Sequence, residues 1–143
     1  MNLAFAEAEA AAARGEVPIG AVLVDPVQGV LAAAGNRVEA DNDPTAHAEL
    51  LVLRAAGAKA HTPRLAGCDL YVTLEPCPMC ATAASFARLR RVIFAAYDPK
   101  GGGIEHGPRV FSHTTCHHGP EVVGGVEASR AEALLKGFFA VRR

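Results

Sequence analysis

Residues 68–87 have the sequence Cys-Asp-Leu-Tyr-Val-Thr-Leu-Glu-Pro-Cys-Pro-Met-Cys-Ala-Thr-Ala-Ala-Ser-Phe-Ala, which changes from a strand pattern to a helix pattern. Its first part, residues 68–74, is dominated by apolar and β-branched residues and predicts a strand. Its second part, residues 76–87, is rich in alanine and predicts a helix. A strand that leads directly into a helix is typical of α/β folds, so this stretch favours that class.

The same alternation of strand and helix extends along the rest of the chain. Apolar runs predict strands over residues 19–25, 30–35 and 91–97 and around residues 122–123, whereas residues 3–14, 47–56 and 127–141 predict helices. The first helix is expected to end before Gly15 and the second at Gly57, and turn formers in residues 25–29 join the first two strands as a hairpin. We therefore expect one domain, residues 1–143, with a mixed sheet of about five strands and helices on both faces.

Composition and charge exclude several classes of protein. Half of the 143 residues are hydrophobic, so a chain of this length can bury a core and bulk disorder is excluded. Fourteen basic and fifteen acidic residues give a net charge of -1, so any contact with nucleic acid has to be local. No apolar run approaches the ~20 residues of a membrane span, and the first residues carry no export signal. We expect a cytosolic protein without a membrane partner.

Two short motifs offer metal ligands, and each stands where a predicted helix begins: His47-Ala48-Glu49 and Pro76-Cys77-Pro78-Met79-Cys80. Cys77 and Cys80 are one helical turn apart, so both sulfurs can reach one ion, and a helix N-terminus favours their thiolate form. Two thiolates and the His47 imidazole make three ligands, and three protein ligands with one open position are typical of catalytic zinc. The sequence therefore predicts one Zn²⁺ per chain, bound by His47, Cys77 and Cys80.

Glu49 is the predicted catalytic acid and base. It is two residues from His47, and residues at that spacing do not share a helix face, so we do not expect Glu49 to bind the metal. Zinc can lower the pKa of a water in its open position to about 7, and a neighbouring carboxylate can then move the proton.

Other interpretations of the cysteines stay open at this point. A C-x-x-C pair in a cytosolic protein can be a redox motif. A structural zinc site would need a fourth ligand, for which the candidates are Cys68, His113, Cys116, His117 and His118. The last three of these could also form a second metal site.

The pattern H-x-E…P-C-x-x-C is the signature of zinc-dependent nucleobase deaminases. Further segments extend the match in order through nearly the whole chain: residues 16–24, 35–37, 43–49, 70–80, 98–102 and 134–139, with the final Arg142-Arg143. With these segments the chain resembles the bacterial tRNA-specific adenosine deaminases of the cytidine deaminase-like superfamily. Deaminases of free bases share the zinc motifs but are less similar around Asp98 and at the C-terminal end.

The resemblance implies a three-layer α/β/α fold and hydrolytic deamination of adenosine to inosine at the wobble position (34) of a tRNA anticodon, by zinc-activated hydroxide with Glu49 as the proton carrier. It implies that Asn36 and the backbone N–H of Ala48 lie beside the target nucleoside and that Asp98 lies near the substrate backbone. An Asn that ends a strand can instead cap a turn. The resemblance also implies a homodimer.

The last helix and the tail are expected to contact the tRNA anticodon stem-loop through Lys136, Phe138, Phe139, Arg142 and Arg143. Aromatic side chains beside arginines suit unpaired RNA bases. Consecutive residues of a helix point in different directions, so we expect one phenylalanine to pack on the sheet and the other to be available.

Two alternative functions remain. One is a zinc-dependent deaminase of a free nucleobase or nucleoside such as guanine or cytosine. The other is a non-enzymatic RNA-binding module stabilised by zinc, in which Glu49 would be dispensable.

Overall fold

A computed structural model describes residues 1–142, and its elements alternate between helix and strand much as predicted. In chain order they are α1 (Asn2–Ala13), β1 (Gly20–Asp25), β2 (Gly29–Gly35), α2 (Ala48–Ala60), β3 (Asp69–Leu74), α3 (Pro78–Phe86), β4 (Arg91–Ala96), a short 3-10 helix (Val110–Ser112), β5 (Glu121–Val123) and α4 (Ala128–Ala140).

The five strands form one mixed sheet in the order β2-β1-β3-β4-β5. Strand β1 runs antiparallel to both β2 and β3, and β4 runs parallel to β3 and β5. In the turn between β1 and β2, the Asp25 carboxylate accepts the N–H groups of Val27 and Gln28. Because β3 and β4 are parallel, their C-terminal ends meet at one edge of the sheet, and the segments that follow them lie side by side.

Helices cover both faces of the sheet, as predicted. Helices α1 and α4 pack on one face, where Phe5 and Ala131 form a small core with Ala95 and Ala96 of β4. Helices α2 and α3 lie on the other face and contribute apolar side chains to the larger core, including Val52 from α2. The chain therefore has three layers, helix, sheet and helix.

Two glycines allow the backbone of α1 to pack directly on the sheet. Gly20 of β1 and Gly35 of β2 are register partners. A Cβ atom on Gly20 would lie 2.0 Å from the carbonyl oxygen of Ala4, and one on Gly35 would lie 2.5 Å from that of Glu7. The helix backbone is thus in direct contact with the sheet just before Asn36.

The predicted boundaries needed two corrections. Helix α2 does not end at Gly57 but continues to Ala60 and ends at His61, which adopts a left-handed conformation. A glycine inside a helix costs only about 1 kcal/mol relative to alanine, and the helix-forming residues 58–60 outweigh that cost. Helix α3 begins at Pro78 instead of Pro76, since Cys77 is its N-cap residue in an extended conformation.

Within residues 1–142, none of the helices combines the length and the apolar character needed to cross a bilayer.

Candidate active site

The three predicted metal ligands meet where α2 and α3 begin. His47 is the N-cap residue of α2, Cys77 is the N-cap residue of α3, and Cys80 lies in the first turn of α3. The His47 Nδ1 atom lies 3.7 Å from the Cys77 Sγ atom and 3.6 Å from the Cys80 Sγ atom. Within residues 1–142, no other group of three His, Cys, Asp or Glu side chains is close enough to hold a metal ion.

These distances fit tetrahedral zinc. Nitrogen and sulfur atoms bound to one zinc ion at about 2.0 and 2.3 Å lie about 3.6 Å apart at the tetrahedral angle. The sequence explains how the ligands are placed, because the three-residue spacing of the cysteines puts both sulfurs on one face of α3. Pro78 at the start of α3 removes one N–H that would otherwise have no partner in the helix.

The protonation of the two thiols also suits a cation. A hydrogen bond from Cys80 lowers the pKa of the Cys77 thiol to about 4, so this sulfur is a thiolate at neutral pH. The same hydrogen bond, together with burial, raises the pKa of the Cys80 thiol. Cys80 therefore stays protonated and donates its S–H to the Cys77 thiolate. The hydrogen bond to Cys77 raises the pKa of His47. A metal ion bound by these atoms would displace the remaining proton, since coordinated thiols are deprotonated.

Glu49 lies next to this group with an unsatisfied carboxylate. The residue is 4% exposed, and its buried Oε2 atom has no hydrogen-bond partner among residues 1–142. Burial raises the pKa of Glu49 to about 7. A carboxylate in this state can both accept and donate a proton near neutral pH, as an acid-base catalyst must. Glu49 is not part of the metal-ligating group, in agreement with the prediction that it does not bind the metal.

An open cavity of about 510 Å³ reaches the edge of this group. Here called the His47 cavity, it is lined by side chains that include Glu16, Asn36, His47, Phe138 and Arg142. The guanidinium of Arg142 stacks on the Phe138 ring, 3.6 Å from its centroid, and donates a hydrogen bond to the Phe138 carbonyl oxygen. The C-terminal end of α4 therefore forms one wall of the cavity beside a metal ligand.

Comparisons with known proteins identify the family. The family model for the cytidine and deoxycytidylate deaminase zinc-binding region matches residues 1–96. The tRNA-specific adenosine deaminase of Agrobacterium fabrum is 54% identical over 144 residues, which is 100% of this chain and 93% of the relative. That of Bacillus subtilis is 44% identical over 140 residues, covering 97% of this chain and 86% of the relative. The chain belongs to the tRNA-specific adenosine deaminase family.

Solved structures agree with this assignment. A structure from work on A-to-I editing by tRNA:A34 deaminases superposes with a TM-score of 0.91 at 54% identity, covering 94% of this chain and 97% of the other. Guanine deaminase from Nitrosomonas europaea superposes with a TM-score of 0.83 at 26% identity, covering 97% and 82%. The fold of this deaminase is thus the cytidine deaminase-like α/β fold, and zinc is its cofactor.

Asn36 directly follows β2 in this deaminase, and both of its oxygen atoms accept hydrogen bonds. Its Oδ1 atom accepts the N–H of Ala48 at 3.2 Å, and its carbonyl oxygen accepts Nη2 of Arg14 at 2.9 Å. Asn36 thus caps the start of α2, and the Ala48 N–H predicted to contact the base has a partner within the protein. The Asn36 amide nitrogen pairs with no acceptor among the described residues and is the group left to meet a ligand in the His47 cavity.

One phenylalanine of α4 is buried and the other is available, as predicted, while packing of the buried ring on the sheet stays a prediction. Phe138 is 8% exposed and lies under Arg142, whereas Phe139 is 46% exposed. Phe139 lines a second cavity, of about 700 Å³, which we call the α4 cavity; its walls are Lys100, Leu135, Lys136, Phe139, Ala140 and Arg142. The predicted contact residue Arg143 lies outside the described residues.

Asp98 organises the loop after β4. Its Oδ1 atom accepts the N–H groups of Lys100 at 3.1 Å and Gly101 at 3.0 Å, so this oxygen shapes its own turn. A contact between Asp98 and the substrate stays a prediction.

The alternative metal ligands lie elsewhere. The Nε2 atom of His118 pairs with the carbonyl oxygen of Leu89, and Ser85 donates a hydrogen bond to the His118 carbonyl oxygen. Neither Cys116 nor His117 joins a metal-binding group within residues 1–142, so the structure favours neither a fourth ligand nor a second metal site.

Sequence reasoning missed two residues that shape the site. Arg14 fixes the carbonyl of Asn36, and Glu75 binds the loop after β4 through its buried carboxylate. The only signal for Glu75 was its position, an acidic residue between an apolar strand and the cysteine motif. A charge at such a position is expected to be buried and therefore to need several hydrogen-bond partners.

Proposed function

We propose that this chain hydrolyses adenosine to inosine at the wobble position (34) of a tRNA anticodon and releases ammonia. The observation that carries the proposal is a buried carboxylate with an unpaired oxygen, Glu49, next to three side chains spaced for tetrahedral zinc. The assignment to tRNA follows the relatives, which are named tRNA-specific adenosine deaminases and match the chain over its full length.

His47, Cys77 and Cys80 would hold one zinc ion per chain. When bound, zinc supplies a nucleophile by lowering the pKa of water. Glu49 would take a proton from the attacking water and deliver it to the ring nitrogen next to the amino group. It would then take the proton of the hydroxyl group formed at C6 and pass it to the departing amine, which leaves as ammonia. Burial raises the pKa of Glu49 to about 7, and an acid-base catalyst is most effective when its pKa lies near the working pH.

The His47 cavity would hold the target nucleoside. Asn36 offers its free amide nitrogen as a donor to the base or the ribose. The stacked pair of Phe138 and Arg142 offers an apolar and cationic wall on the other side. This arrangement suits a single unstacked nucleotide, and an anticodon loop presents unpaired bases of that kind.

The α4 cavity would bind neighbouring nucleotides. Lys100, Lys136 and Arg142 supply three positive charges around the exposed ring of Phe139. Stacking on an aromatic ring and phosphate contacts from cations together are the usual way in which proteins hold single-stranded RNA.

The decisive experiment measures inosine at position 34 of anticodon stem-loops, with ammonia release from free guanine, cytosine and adenosine assayed in parallel. We expect inosine in the stem-loop. Activity on free bases alone would reject this function in favour of a free-base deaminase.

Variants separate catalysis from metal binding. Glu49→Gln should lower the rate by about 10²-fold or more while zinc stays at about one per chain. Glu9→Gln on the exposed surface of α1 is the matched control and should leave both quantities unchanged. Cys80→Ala should lose zinc in elemental analysis. Undiminished activity of Glu49→Gln would contradict the acid-base role.

We also infer that the chain forms a homodimer. The resemblance implies this state, and it is supported by Phe86 at the end of α3, a large apolar side chain that is 76% exposed beside a groove of about 460 Å³. Light scattering should give twice the chain mass, and Phe86→Glu should shift the protein towards the monomer. A monomeric wild-type protein would contradict this inference.

The expected cytosolic location stays a prediction. It is supported by the proposed tRNA substrate and is checked by fractionation of cells that express the chain.

A further inference from the structure

The carboxylate of Glu75 is a buried acceptor for one loop. Glu75 follows β3 directly, and its side chain has no exposed surface. The Oε1 atom accepts the N–H groups of Ile104, Glu105 and His106 at 3.3, 2.8 and 3.1 Å. The Oε2 atom accepts the N–H of Asp98 at 2.9 Å and pairs with Nδ1 of His106 at 2.8 Å. Both ends of the segment 98–106 are therefore tied to the same carboxylate.

The middle of this loop is held against the cysteine turn. The N–H of Gly103 donates to the carbonyl oxygen of Pro76 at 2.8 Å. A Cβ atom on Gly103 would lie 2.5 Å from the Pro78 nitrogen, and one on Gly102 would lie 2.5 Å from the Glu75 carboxylate. Only residues without a side chain fit here, so the loop has no room to approach the turn further.

The loop carries a side chain to the α4 cavity. Lys100 lies between Asp98 and Gly101, in the turn that the Asp98 side chain closes. Lys100 lines the α4 cavity together with Phe139 of α4 and with Arg142, which follows that helix. The position of Lys100 relative to α4 therefore depends on what holds residues 98–106 in place.

We propose that Glu75 is a positioning residue for RNA binding, which fixes residues 98–106 so that Lys100 faces the α4 cavity. Glu75 itself has no exposed surface and would not touch the substrate. A carboxylate suits the task because its two oxygens only accept hydrogen bonds and can serve several N–H groups at once. This inference rests on the proposed function for its RNA ligand.

The test compares Glu75→Gln with the wild-type holoenzyme. The glutamine amide has the same shape, but its NH₂ group faces N–H donors and weakens the hold on the loop. We expect the KM for the anticodon stem-loop to rise by about tenfold and kcat to stay within about threefold, with zinc still at one per chain. A fall in kcat with unchanged KM, or loss of zinc, would overturn the proposal.

A double-mutant cycle with Lys100→Ala tests whether Glu75 acts through Lys100. Lys100→Ala should raise the KM in the wild-type background and have little further effect in Glu75→Gln. Independent, multiplying effects would show that Glu75 does not act through Lys100.

His106→Ala is the milder variant, because it removes the ring contact and leaves the four backbone N–H bonds to Glu75. We expect the KM to rise by only about two- to threefold. If Glu75→Gln does not fold, the same cycle is run with His106→Ala.

Hydrogen exchange tests whether Glu75 holds the loop independently of the proposed function, because the measurement needs no substrate. Glu75→Gln should speed exchange of the amides of Ile104, Glu105 and His106, and unchanged exchange would refute the hold on the loop. If the wild-type protein does not deaminate the stem-loop, the proposed function is wrong. In that case the dissociation constant of the labelled stem-loop replaces KM as the quantity measured in the double-mutant cycle.

Discussion

Replacing Gly35 by alanine should disturb both the fold and the active site, because this glycine lies under α1 and directly before Asn36. The new Cβ atom would lie 2.5 Å from the carbonyl oxygen of Glu7, whereas ordinary contacts begin at 3.4 Å. The backbone of α1 or of β2 must therefore move by about 0.9 Å. Overpacking of this kind costs about 1–3 kcal/mol, and the lower entropy of the unfolded alanine chain returns about 0.5 kcal/mol.

The shift should reach the site through two contacts of Asn36. Its Oδ1 atom lies 3.2 Å from the Ala48 nitrogen, already at the long end for a hydrogen bond, and the Arg14 Nη2 that holds its carbonyl would lie 3.1 Å from the new Cβ atom. A displacement near 1 Å at a substrate-facing group can cost about 100-fold in rate. We expect Gly35→Ala to lower activity by about 10- to 100-fold.

Urea unfolding measures the predicted effect on stability, and initial rates of inosine formation measure the predicted effect on activity. Gly35→Ala should lose about 0.5–2.5 kcal/mol in the free energy of unfolding. Gly137→Ala is the matched control: Gly137 lies inside α4 with no atom within 4 Å of a new Cβ, so this variant should gain about 0.5–1 kcal/mol. If Gly35→Ala unfolds and reacts like the wild type, the close contact between α1 and the sheet does not position Asn36.

Further predictions concern other parts of the molecule. Burial alone would raise the pKa of Asp69, but hydrogen bonds from Arg90 and Arg91 lower it to about 2, so its contribution to stability is present above pH 3.8 and is lost as the pH falls towards 2. Asp69→Asn should therefore lower the free energy of unfolding by about 1–2 kcal/mol at pH 7, and the difference measured in urea should shrink below pH 4. Gly103→Ala should lower zinc occupancy in elemental analysis because its Cβ atom collides with backbone at the cysteine turn, while Gly101→Ala, which meets only the flexible Asp98 carboxylate, should not. Removing zinc with a chelator should abolish activity and lower Tm in calorimetry, and added zinc should restore both; full activity of the metal-free protein would contradict the role of zinc.

The sequence was sufficient to predict those parts of the site that depend on local spacing. The separation of Cys77 and Cys80 by one helical turn determines that their sulfurs share a face, whatever the rest of the fold does. Which of the two phenylalanines of α4 is buried could not be predicted, because Phe138 and Phe139 are adjacent in the helix and the sequence pattern does not distinguish them. In the structure Phe138 is the buried one, under the Arg142 guanidinium, and Phe139 is the exposed one.

Long-range hydrogen bonds lay beyond sequence reasoning. Glu75 and His106 are separated by 31 residues, and nothing in either segment indicates that a carboxylate and an imidazole will meet. Their contact results from the parallel pairing of β3 and β4, which places the segments after both strands at one edge. The end of α2 is a different case, since Gly57 was a reasonable stop signal and the helix-forming residues 58–60 carry the helix past it.

The net charge of -1 argues against nucleic acid only if the charges are spread evenly, and they are not. Two acidic residues form ion pairs with arginines that do not line the α4 cavity: Asp69 pairs with Arg90 and Arg91, and Asp41 pairs with Arg37. The three cations of the α4 cavity take part in none of the ion pairs found within residues 1–142, so their charge stays available. A single-stranded ligand that replaces about three counterions should show a slope near -2 when log K is plotted against log salt. Binding to a few unpaired nucleotides needs no more than this, which is why a nearly neutral domain can hold an anticodon loop.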